Sequence, residues 1–362
     1  MKYALVLLLT LLSLTGCSFT SQQSKHATSE VPTQTPVVKK ATTPSAQGLI
    51  TWDAITYKST QTTLYMKNLQ DTFTEVQYMI WRIADGPSSA RHFSSKDTSN
   101  HFSLPFSLQI FDYKRGEYQI QTVGVKADGS NTPLAYSTIT FEQKIPMLMY
   151  HGIDDYRGVG FKSLFVPPAQ FESHVQYLKD NGYTLLTFER WSERNRVNKP
   201  IFLTFDDGMK DNLNAYNVLK KLKDASFQPA ATFYVISALI DKDGYLSAND
   251  IKSMSDSGII SFGSHSDTHD FLTKVPNLEQ ELQDSSRKIS DVTGKAVVSL
   301  SYPTGVYNDK VVGIAKNYYD FAVTSDDGQF IQKGLPNERY LIERIYITPT
   351  MSMNRFINVI QE

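Results

Sequence analysis

The chain has 362 residues, of which 41% are hydrophobic. A chain of this length accommodates about two domains, each with an ordinary core. Its 36 basic and 37 acidic side chains give a formal net charge of -1. So small a net charge provides no field to attract a polyanion, which argues against a nucleic-acid partner. The single cysteine, Cys17, excludes an internal disulfide.

The N-terminus carries a targeting signal. Lys2 supplies a positive charge, and the apolar run from Ala4 to Leu12 is too short to span a bilayer. The next segment, Leu14-Thr15-Gly16-Cys17, resembles the lipobox of bacterial lipoproteins. By that resemblance, residues 1–16 are a signal peptide and a lipid on Cys17 anchors the protein to the outside of a Gram-positive cell membrane. A secretory peptide with an incidental cysteine is the alternative.

Two segments of different composition follow. Residues 17–47 are rich in Ser, Thr, Gln and Pro, and such a segment buries too little apolar surface to fold, so we interpret it as a disordered linker. Residues 48–143 contain short β-rich runs separated by turn formers, which predicts a small all-β, immunoglobulin-like sandwich. The segment around Trp81 and Gly116–Tyr118 resembles the Bsp-like repeat of Gram-positive surface proteins. A glycan-associated module and a plain spacer remain alternatives for this domain.

From residue 145 to 362, strands alternate with amphipathic helices. The strands are read from apolar runs: 146–150, 201–205, 231–236, 259–262, 297–300 and 321–324. Helix faces are marked by the spacing of Phe171, Val175 and Leu178 and of Leu278, Leu282 and Ile289. Repeated βα units predict an α/β fold, best fitted by a closed or nearly closed (β/α) barrel. Chemistry in such barrels lies at the C-terminal ends of the strands.

Side chains that suit metal chemistry follow two of these strands. Asp206 and Asp207 come directly after the run that ends at Phe205. Adjacent side chains point in different directions, so one carboxylate could hold a cation while the other faces a water. His265 and His269 follow a second strand, and two imidazoles with a carboxylate suit Zn²⁺ with one open position. An Asp-Asp-Gly turn with structural histidines is the alternative.

The Asp-Asp motif combined with His265-Ser266-Asp267-Thr268-His269 resembles the polysaccharide deacetylase family, also called NodB-homology or carbohydrate esterase family 4. The resemblance spans residues 145–361. It implies that Asp207, His265 and His269 bind the metal and that Asp206 is the catalytic base. Zn²⁺ is the expected ion, with Co²⁺ and Ni²⁺ as alternatives.

A third motif of that family is altered in this chain. Ser301-Tyr302-Pro303-Thr304-Gly305 stands where the family often has Arg-Pro-Pro-Tyr-Gly. The resemblance implies that the backbone N–H of Thr304 contacts the oxyanion and that Tyr302 takes part in binding substrate. Ser301 occupies the place of the arginine that usually orients the base. Arg344 is a candidate substitute, although an unrelated surface or salt-bridge arginine is the preferred interpretation from sequence alone.

The family's C-terminal Leu-x-x-His is absent after Arg344, whereas His151 stands at the start of the domain. This order resembles the circularly permuted branch, which includes poly-N-acetylglucosamine deacetylases, and implies that His151 is the general acid; a buried structural histidine is the alternative. The implied function is metal-dependent N-deacetylation of N-acetylglucosamine units in an extracellular or cell-wall polysaccharide. An O-acetyl esterase and a non-catalytic, lipid-anchored glycan-binding protein are the alternatives. The oligomeric state is left open, with a monomer expected.

Overall fold

A computed structural model describes residues 47–361 of the chain. The expected signal peptide, Cys17 and the expected linker up to residue 46 lie outside the described residues, so those expectations stay predictions. Within residues 47–361, no helix combines the length and the apolar character that crossing a bilayer requires.

Seven antiparallel strands build an N-terminal sandwich. They are β1 Leu49–Trp52, β2 Gln61–Lys67, β3 Glu75–Arg82, β4 Arg91–Ser95, β5 Leu104–Ser107, β6 Gly116–Val125 and β7 Asn131–Phe141. One sheet has the order β1-β2-β5 and the other the order β4-β3-β6-β7. Strand β3 alternates as a half-buried strand should, with Val76 and Tyr78 buried on either side of the exposed Gln77. Both sheets contribute to one hydrophobic core.

Parallel strands and helices build the C-terminal part. The strands are β8 Met147–Tyr150, β9 Thr184–Leu186, β10 Pro200–Phe205, β11 Ala231–Val235, β12 Ile260–Ser264, β13 Ser299–Ser301, β14 Phe321–Val323 and β15 Ile345–Tyr346. The helices are α1 Pro168–Asp180, α2 Asn212–Leu222, α3 Ala248–Asp256, α4 Leu278–Thr293, α5 Asp309–Ala315 and α6 Met353–Gln361.

The parallel sheet has the order β14-β13-β12-β11-β10-β8-β15, and β9 also pairs with β10. Its two ends are linked, because Ile342 forms a parallel bridge with Val323 of β14 shortly before β15 begins. The (β/α) barrel expected from the sequence is therefore confirmed. Residues 342–347 divide between two neighbours in the sheet: Ile342 bridges β14, and only Ile345–Tyr346 pairs with β8.

Strand β10 shows how the barrel separates packing from chemistry. Ile201, Leu203 and Phe205 belong to the core that the strands share with the surrounding helices. Phe202 belongs to a second apolar cluster, formed with residues such as Met147 and Tyr234 from the neighbouring strands. Successive side chains of a strand alternate between its faces, so Thr204 and Asp206 continue the face of Phe202 toward the C-terminal end. Along that face the apolar side chain of Phe202 is therefore followed by the polar side chains of Thr204 and Asp206.

The sandwich contacts the barrel at the loop that leads into β10. Arg82 is 2% exposed and donates hydrogen bonds to the Asn198 side chain at 3.4 Å and to the Val197 carbonyl at 3.4 Å. The Arg196 guanidinium also pairs with Glu117 of β6 at 2.7 Å. These contacts lie before β10, whereas Asp206 lies after it. The sandwich and the candidate chemistry are therefore at opposite ends of this strand.

Candidate metal centre and active site

The strand register brings the two candidate proton-transfer residues together. Tyr150 of β8 and Phe205 of β10 are register partners, and the next residues along the chain are His151 and Asp206. The Asp206 N–H donates to the Tyr150 carbonyl at 3.0 Å, which continues the pairing by one residue. Adjacent strands are about 4.8 Å apart. His151 and Asp206 therefore leave neighbouring strands side by side.

Three side chains from two strand ends form a candidate metal centre. Oδ1 of Asp207 lies 3.4 Å from Nε2 of His265 and 3.7 Å from Nε2 of His269. All three candidate ligand atoms lie within 4.8 Å of one another. Ligands about 2.1 Å from a tetrahedral ion are about 3.4 Å apart, so the Asp207–histidine spacings fit a zinc-sized ion. The set leaves one tetrahedral position open.

A hydrogen bond fixes which nitrogen of His265 faces the centre. Its Nδ1 lies 2.8 Å from the Ser301 carbonyl oxygen, which can only accept, so Nδ1 carries the proton. In the neutral ring Nε2 then carries the lone pair that a metal ligand requires, and it lies on the side of Asp207. Burial opposes a charged imidazole here, but the carboxylates of Asp206 and Asp207 outweigh it and raise the pKa of His265. The surroundings of this ring favour positive charge.

The backbone around the centre is strained. Asp207, Ser266 and His269 all have left-handed backbone conformations, with φ of 73°, 61° and 66°. Non-glycine residues adopt this region at a cost of about 1–3 kcal/mol and keep it only where surrounding contacts hold them. Gly208 follows with φ of 70°, and a Cβ there would lie 2.8 Å from a methyl of Val235. The turn after β10 therefore requires glycine at this position.

Asp206 is held by a buried arginine from the end of the chain. Arg344 is 0% exposed and donates to both carboxylate oxygens of Asp206, at 2.8 Å and 2.7 Å. Burial alone would raise the pKa of Asp206, but the charges of Arg344 and His265 outweigh it, and the pKa lies below its ordinary value. Asp206 therefore stays ionised. Arg344, named from sequence as a candidate substitute although an unrelated arginine was preferred, is the residue that pairs with the candidate base.

His151 lies beside this ion pair at the end of β8. Its ring contacts Tyr346 edge-on, with centroids 5.8 Å apart, and its carbonyl accepts from the fully buried Asn212 at 2.6 Å. Burial lowers the pKa of His151, and the nearby carboxylates of Asp206 and Asp207 oppose that shift. The ring is thus close enough for the charges of both carboxylates to affect its pKa. Its role as general acid stays a prediction.

The Ser301–Gly305 segment supplies the other two predicted residues. Thr304 is exposed and has a left-handed backbone, with φ of 58°. Tyr302 is 1% exposed, donates its hydroxyl hydrogen to the Tyr340 carbonyl at 3.1 Å, and stacks on Tyr307. The hydroxyl of Tyr302 is thus committed to the protein. Contacts of Thr304 and Tyr302 with substrate stay predictions.

Two polar residues of the site have no assigned role in the sequence interpretation. The Ser301 hydroxyl donates to Asp206 at 3.1 Å, although this residue was noted only for standing in place of an arginine. The Thr204 hydroxyl accepts from Arg344 at 3.0 Å and donates to the Leu148 carbonyl at 2.8 Å. A signal for Thr204 exists: it is the polar residue of an otherwise apolar strand, two positions before Asp206. That spacing puts both side chains on one face.

Comparison with known proteins gives consistent results. Residues 193–319 match the protein family described as Polysaccharide deacetylase. The Bacillus subtilis (strain 168) protein YxkH, named as a candidate polysaccharide deacetylase, is 33% identical over 223 residues, or 59% of this chain and 75% of that protein. The poly-beta-1,6-N-acetyl-D-glucosamine N-deacetylase of Staphylococcus aureus is 26% identical over 178 residues, or 43% of this chain and 59% of that protein.

Solved structures extend the similarity to as much as 87% of this chain. A candidate polysaccharide deacetylase from Bacillus anthracis has a TM-score of 0.86 and 54% identity, covering 87% of this chain and 99% of its own. The Streptococcus pyogenes deacetylase PplD, solved with acetate, has a TM-score of 0.54 and 30% identity, covering 61% and 100%. With a relative above 30% identity matched over three quarters of its length and a barrel of the expected type, the chain belongs to the polysaccharide deacetylase family.

Proposed function

We propose that the chain is a metal-dependent N-deacetylase that acts on N-acetylglucosamine units of an extracellular or cell-wall polysaccharide and releases acetate. One observation carries the proposal: the side chains of Asp207, His265 and His269 converge beside Asp206. The carboxylate of Asp206 is in turn held by two hydrogen bonds from Arg344. That arrangement provides a cation site next to an ionised carboxylate. Hydrolysis of an amide needs both, because its carbonyl is weakly electrophilic and water is a poor nucleophile.

Asp207, His265 and His269 are the residues that would hold the ion, and we propose Zn²⁺, with Co²⁺ and Ni²⁺ as alternatives. A bound divalent ion would polarise the acetyl carbonyl and lower the pKa of a water toward about 7. Nitrogen and carboxylate ligands in a three-residue set with an open position are typical of catalytic zinc sites.

Asp206 is the proposed base that takes the proton from the attacking water. Both oxygens accept from Arg344, and Oδ2 also accepts from the Ser301 hydroxyl, so Oδ1 has the remaining lone pair that can accept from the water. Because its pKa lies below the ordinary value, Asp206 is in the proton-accepting form across the neutral range. The bidentate contact with Arg344 fixes its orientation and prevents it from turning away from the water.

The Thr304 N–H and His151 complete the proposed chemistry. An N–H donor at the developing oxyanion contributes roughly 3 kcal/mol in comparable sites. The amide nitrogen leaves only if it is protonated, and His151 is the proposed donor because it leaves the strand next to Asp206. The products are acetate and a free glucosamine amine.

The name of the S. aureus relative supports N-acetylglucosamine as the substrate class, and the acetate bound to PplD matches the proposed product. The competing activity, an O-acetyl esterase, uses the same groups but needs no strong acid at the leaving atom. Acetate release from matched N-acetyl and O-acetyl oligosaccharides separates the two. Release from the O-acetyl series with none from the N-acetyl series would replace the proposed amide activity with the esterase.

The central experiment measures acetate release and metal content together, using metal-reconstituted protein and defined glycans. Asp206→Asn is expected to keep stoichiometric Zn²⁺ but to lose turnover, whereas His265→Ala loses both. Asp256→Asn is the matched control, because Asp256 forms an exposed ion pair with Lys252 within helix α3. Near-full activity in Asp206→Asn would show that another group is the base. Wild-type protein without bound metal or acetate release would support the glycan-binding alternative.

We also propose that a lipid on Cys17 holds the enzyme at the outer face of the cell membrane, where a wall or exopolysaccharide is accessible. The support is the Leu14–Cys17 segment, since two acyl chains anchor a protein stably. Cys17→Ala should move the protein from the membrane fraction into the medium. An unchanged membrane fraction would exclude this anchor.

A further inference from the structure

Helix α4 presents a polar stripe to the loop that carries both histidines. Glu281, Ser285 and Lys288 are spaced by four and three residues, so they lie on one face of the helix. The face beside this stripe, formed by Leu278, Leu282 and Ile289, is buried. The apolar face attaches the helix to the barrel. The polar stripe contacts residues 264–268.

Each member of the stripe contacts a different part of the loop. Glu281 accepts from the Thr268 N–H at 2.7 Å and from its hydroxyl at 3.0 Å. Lys288 donates to both carboxylate oxygens of Asp267, at 2.7 Å and 2.8 Å. Thr268 and Asp267 lie between the two histidines. The middle of the loop is therefore held from one side by a helix that is fixed elsewhere.

Ser285 contacts the start of the loop, at the end of strand β12. It is fully buried, and its hydroxyl lies 2.7 Å from that of Ser264, the last residue of β12. The Ser264 hydroxyl in turn accepts from the Ser266 N–H at 3.1 Å, and the Ser266 hydroxyl accepts from the His269 N–H at 3.0 Å. A continuous series of hydrogen bonds thus runs from α4 to the backbone of the second histidine.

The loop needs such support because its backbone is strained. Ser266 and His269 both have left-handed conformations, with φ of 61° and 66°. Released from its contacts, the loop would relax into more favourable conformations and the two imidazoles would separate. We propose that Glu281, Ser285 and Lys288 are positioning residues that hold the loop so that His265 and His269 meet Asp207. This inference rests on the proposed metal centre.

A surface ion pair with only a structural role would behave differently. Lys288 is partly exposed, and exposed ion pairs typically contribute little to stability and have no effect on a distant site. Residues that orient metal ligands typically change metal affinity about 10–100-fold when they are replaced. The affinity for the metal therefore distinguishes a positioning role from an ordinary surface contact.

The test titrates Zn²⁺ alone into metal-free, full-length protein in competition with a chromophoric chelator. Lys288→Met is expected to weaken Zn²⁺ binding about 10–100-fold, and Lys288→Arg, which keeps a donor for Asp267, should recover most of that loss. Lys252→Met is the matched control: it removes an ion pair to Asp256 on α3 and should leave affinity unchanged. The visible spectrum of the Co²⁺-loaded variants should show altered ligand geometry only for Lys288→Met.

Failure of the inference and failure of the proposed function give different results. If wild-type protein binds no more Zn²⁺ than Asp207→Ala, the metal centre itself is wrong. If wild-type protein binds and Lys288→Met binds within twofold of it, the positioning role is overturned. Glu281→Met is the second variant if Lys288→Met fails to fold, with the same expected loss. Wild-type affinity in a folded Glu281→Met overturns the inference equally.

Discussion

Replacing Arg344 with methionine tests whether the buried ion pair with Asp206 is as important as its geometry indicates. Arg344 is fully buried, and its guanidinium makes both hydrogen bonds of a bidentate contact. Methionine removes the charge and the donors while keeping much of the side-chain volume. Asp206 would then be an unpaired carboxylate in a buried site, which is among the most destabilising changes available to a protein.

The size of the loss can be worked out from proton binding. In the variant, Asp206 escapes the cost of a buried charge by taking up a proton. At pH 7, about three units above the ordinary carboxyl pKa near 3.9, this costs about 4 kcal/mol at about 1.4 kcal/mol per unit. The loss falls to about 1.5 kcal/mol at pH 5. In the wild type the pKa of Asp206 is ordinary in the unfolded state and lowered in the folded state, so the carboxylate is ionised in both states above about pH 4. Its contribution to the unfolding free energy is therefore constant above that pH and is lost only below it.

Urea denaturation of metal-free protein at pH 7, 6 and 5 measures the difference between variant and wild type. The Asp206→Asn, Arg344→Met double variant should be more stable at pH 7 than Arg344→Met alone, because it has no charge to neutralise. Arg287→Met, which breaks exposed pairs on α4, should cost under about 1 kcal/mol. An Arg344→Met loss that is equal at pH 5 and 7, or no recovery in the double variant, would refute this reasoning.

Three further predictions concern His151, the buried His174 of helix α1 and Gly152. His151→Ala should lower kcat about 10²–10⁴-fold and remove the alkaline limb of the pH–rate profile; an unchanged bell would exclude His151 as the acid. His174 stacks on Phe356, and burial lowers its pKa to about 4. Because the unfolded chain takes up this proton first, the unfolding free energy of metal-free wild type should fall by up to about 3 kcal/mol between about pH 6.5 and pH 4. In His174→Gln the fall over the same pH range should be smaller by that amount, as urea denaturation would measure. Gly152→Ala puts a Cβ 2.7 Å from the ring of Phe165 and should lower acetate release while Zn²⁺ affinity stays within twofold; unchanged release would show that the turn after His151 tolerates the methyl.

Much of the architecture follows from local pattern. The face of α1 that carries Phe171, Val175 and Leu178 is buried as the spacing predicts, because residues three and four apart lie on one side of an α-helix. Short segments were missed: β4, Arg91–Ser95, is mostly exposed, and β9, Thr184–Leu186, has three residues. Neither is long enough for a period to be visible. Their strand character comes from their neighbours.

The sequence by itself determined where the candidate metal ligands lie, because Asp207, His265 and His269 each follow an apolar strand and parallel strands end at a common edge. Only the tertiary structure decided the partner of Asp206. Arg344 is separated from it by 138 residues, and their contact depends on closure of the barrel and on the register of β15. A shift of one residue in a strand turns each side chain to the opposite face. Composition and spacing carry no information about such a register, so the arginine could be named from sequence but not placed.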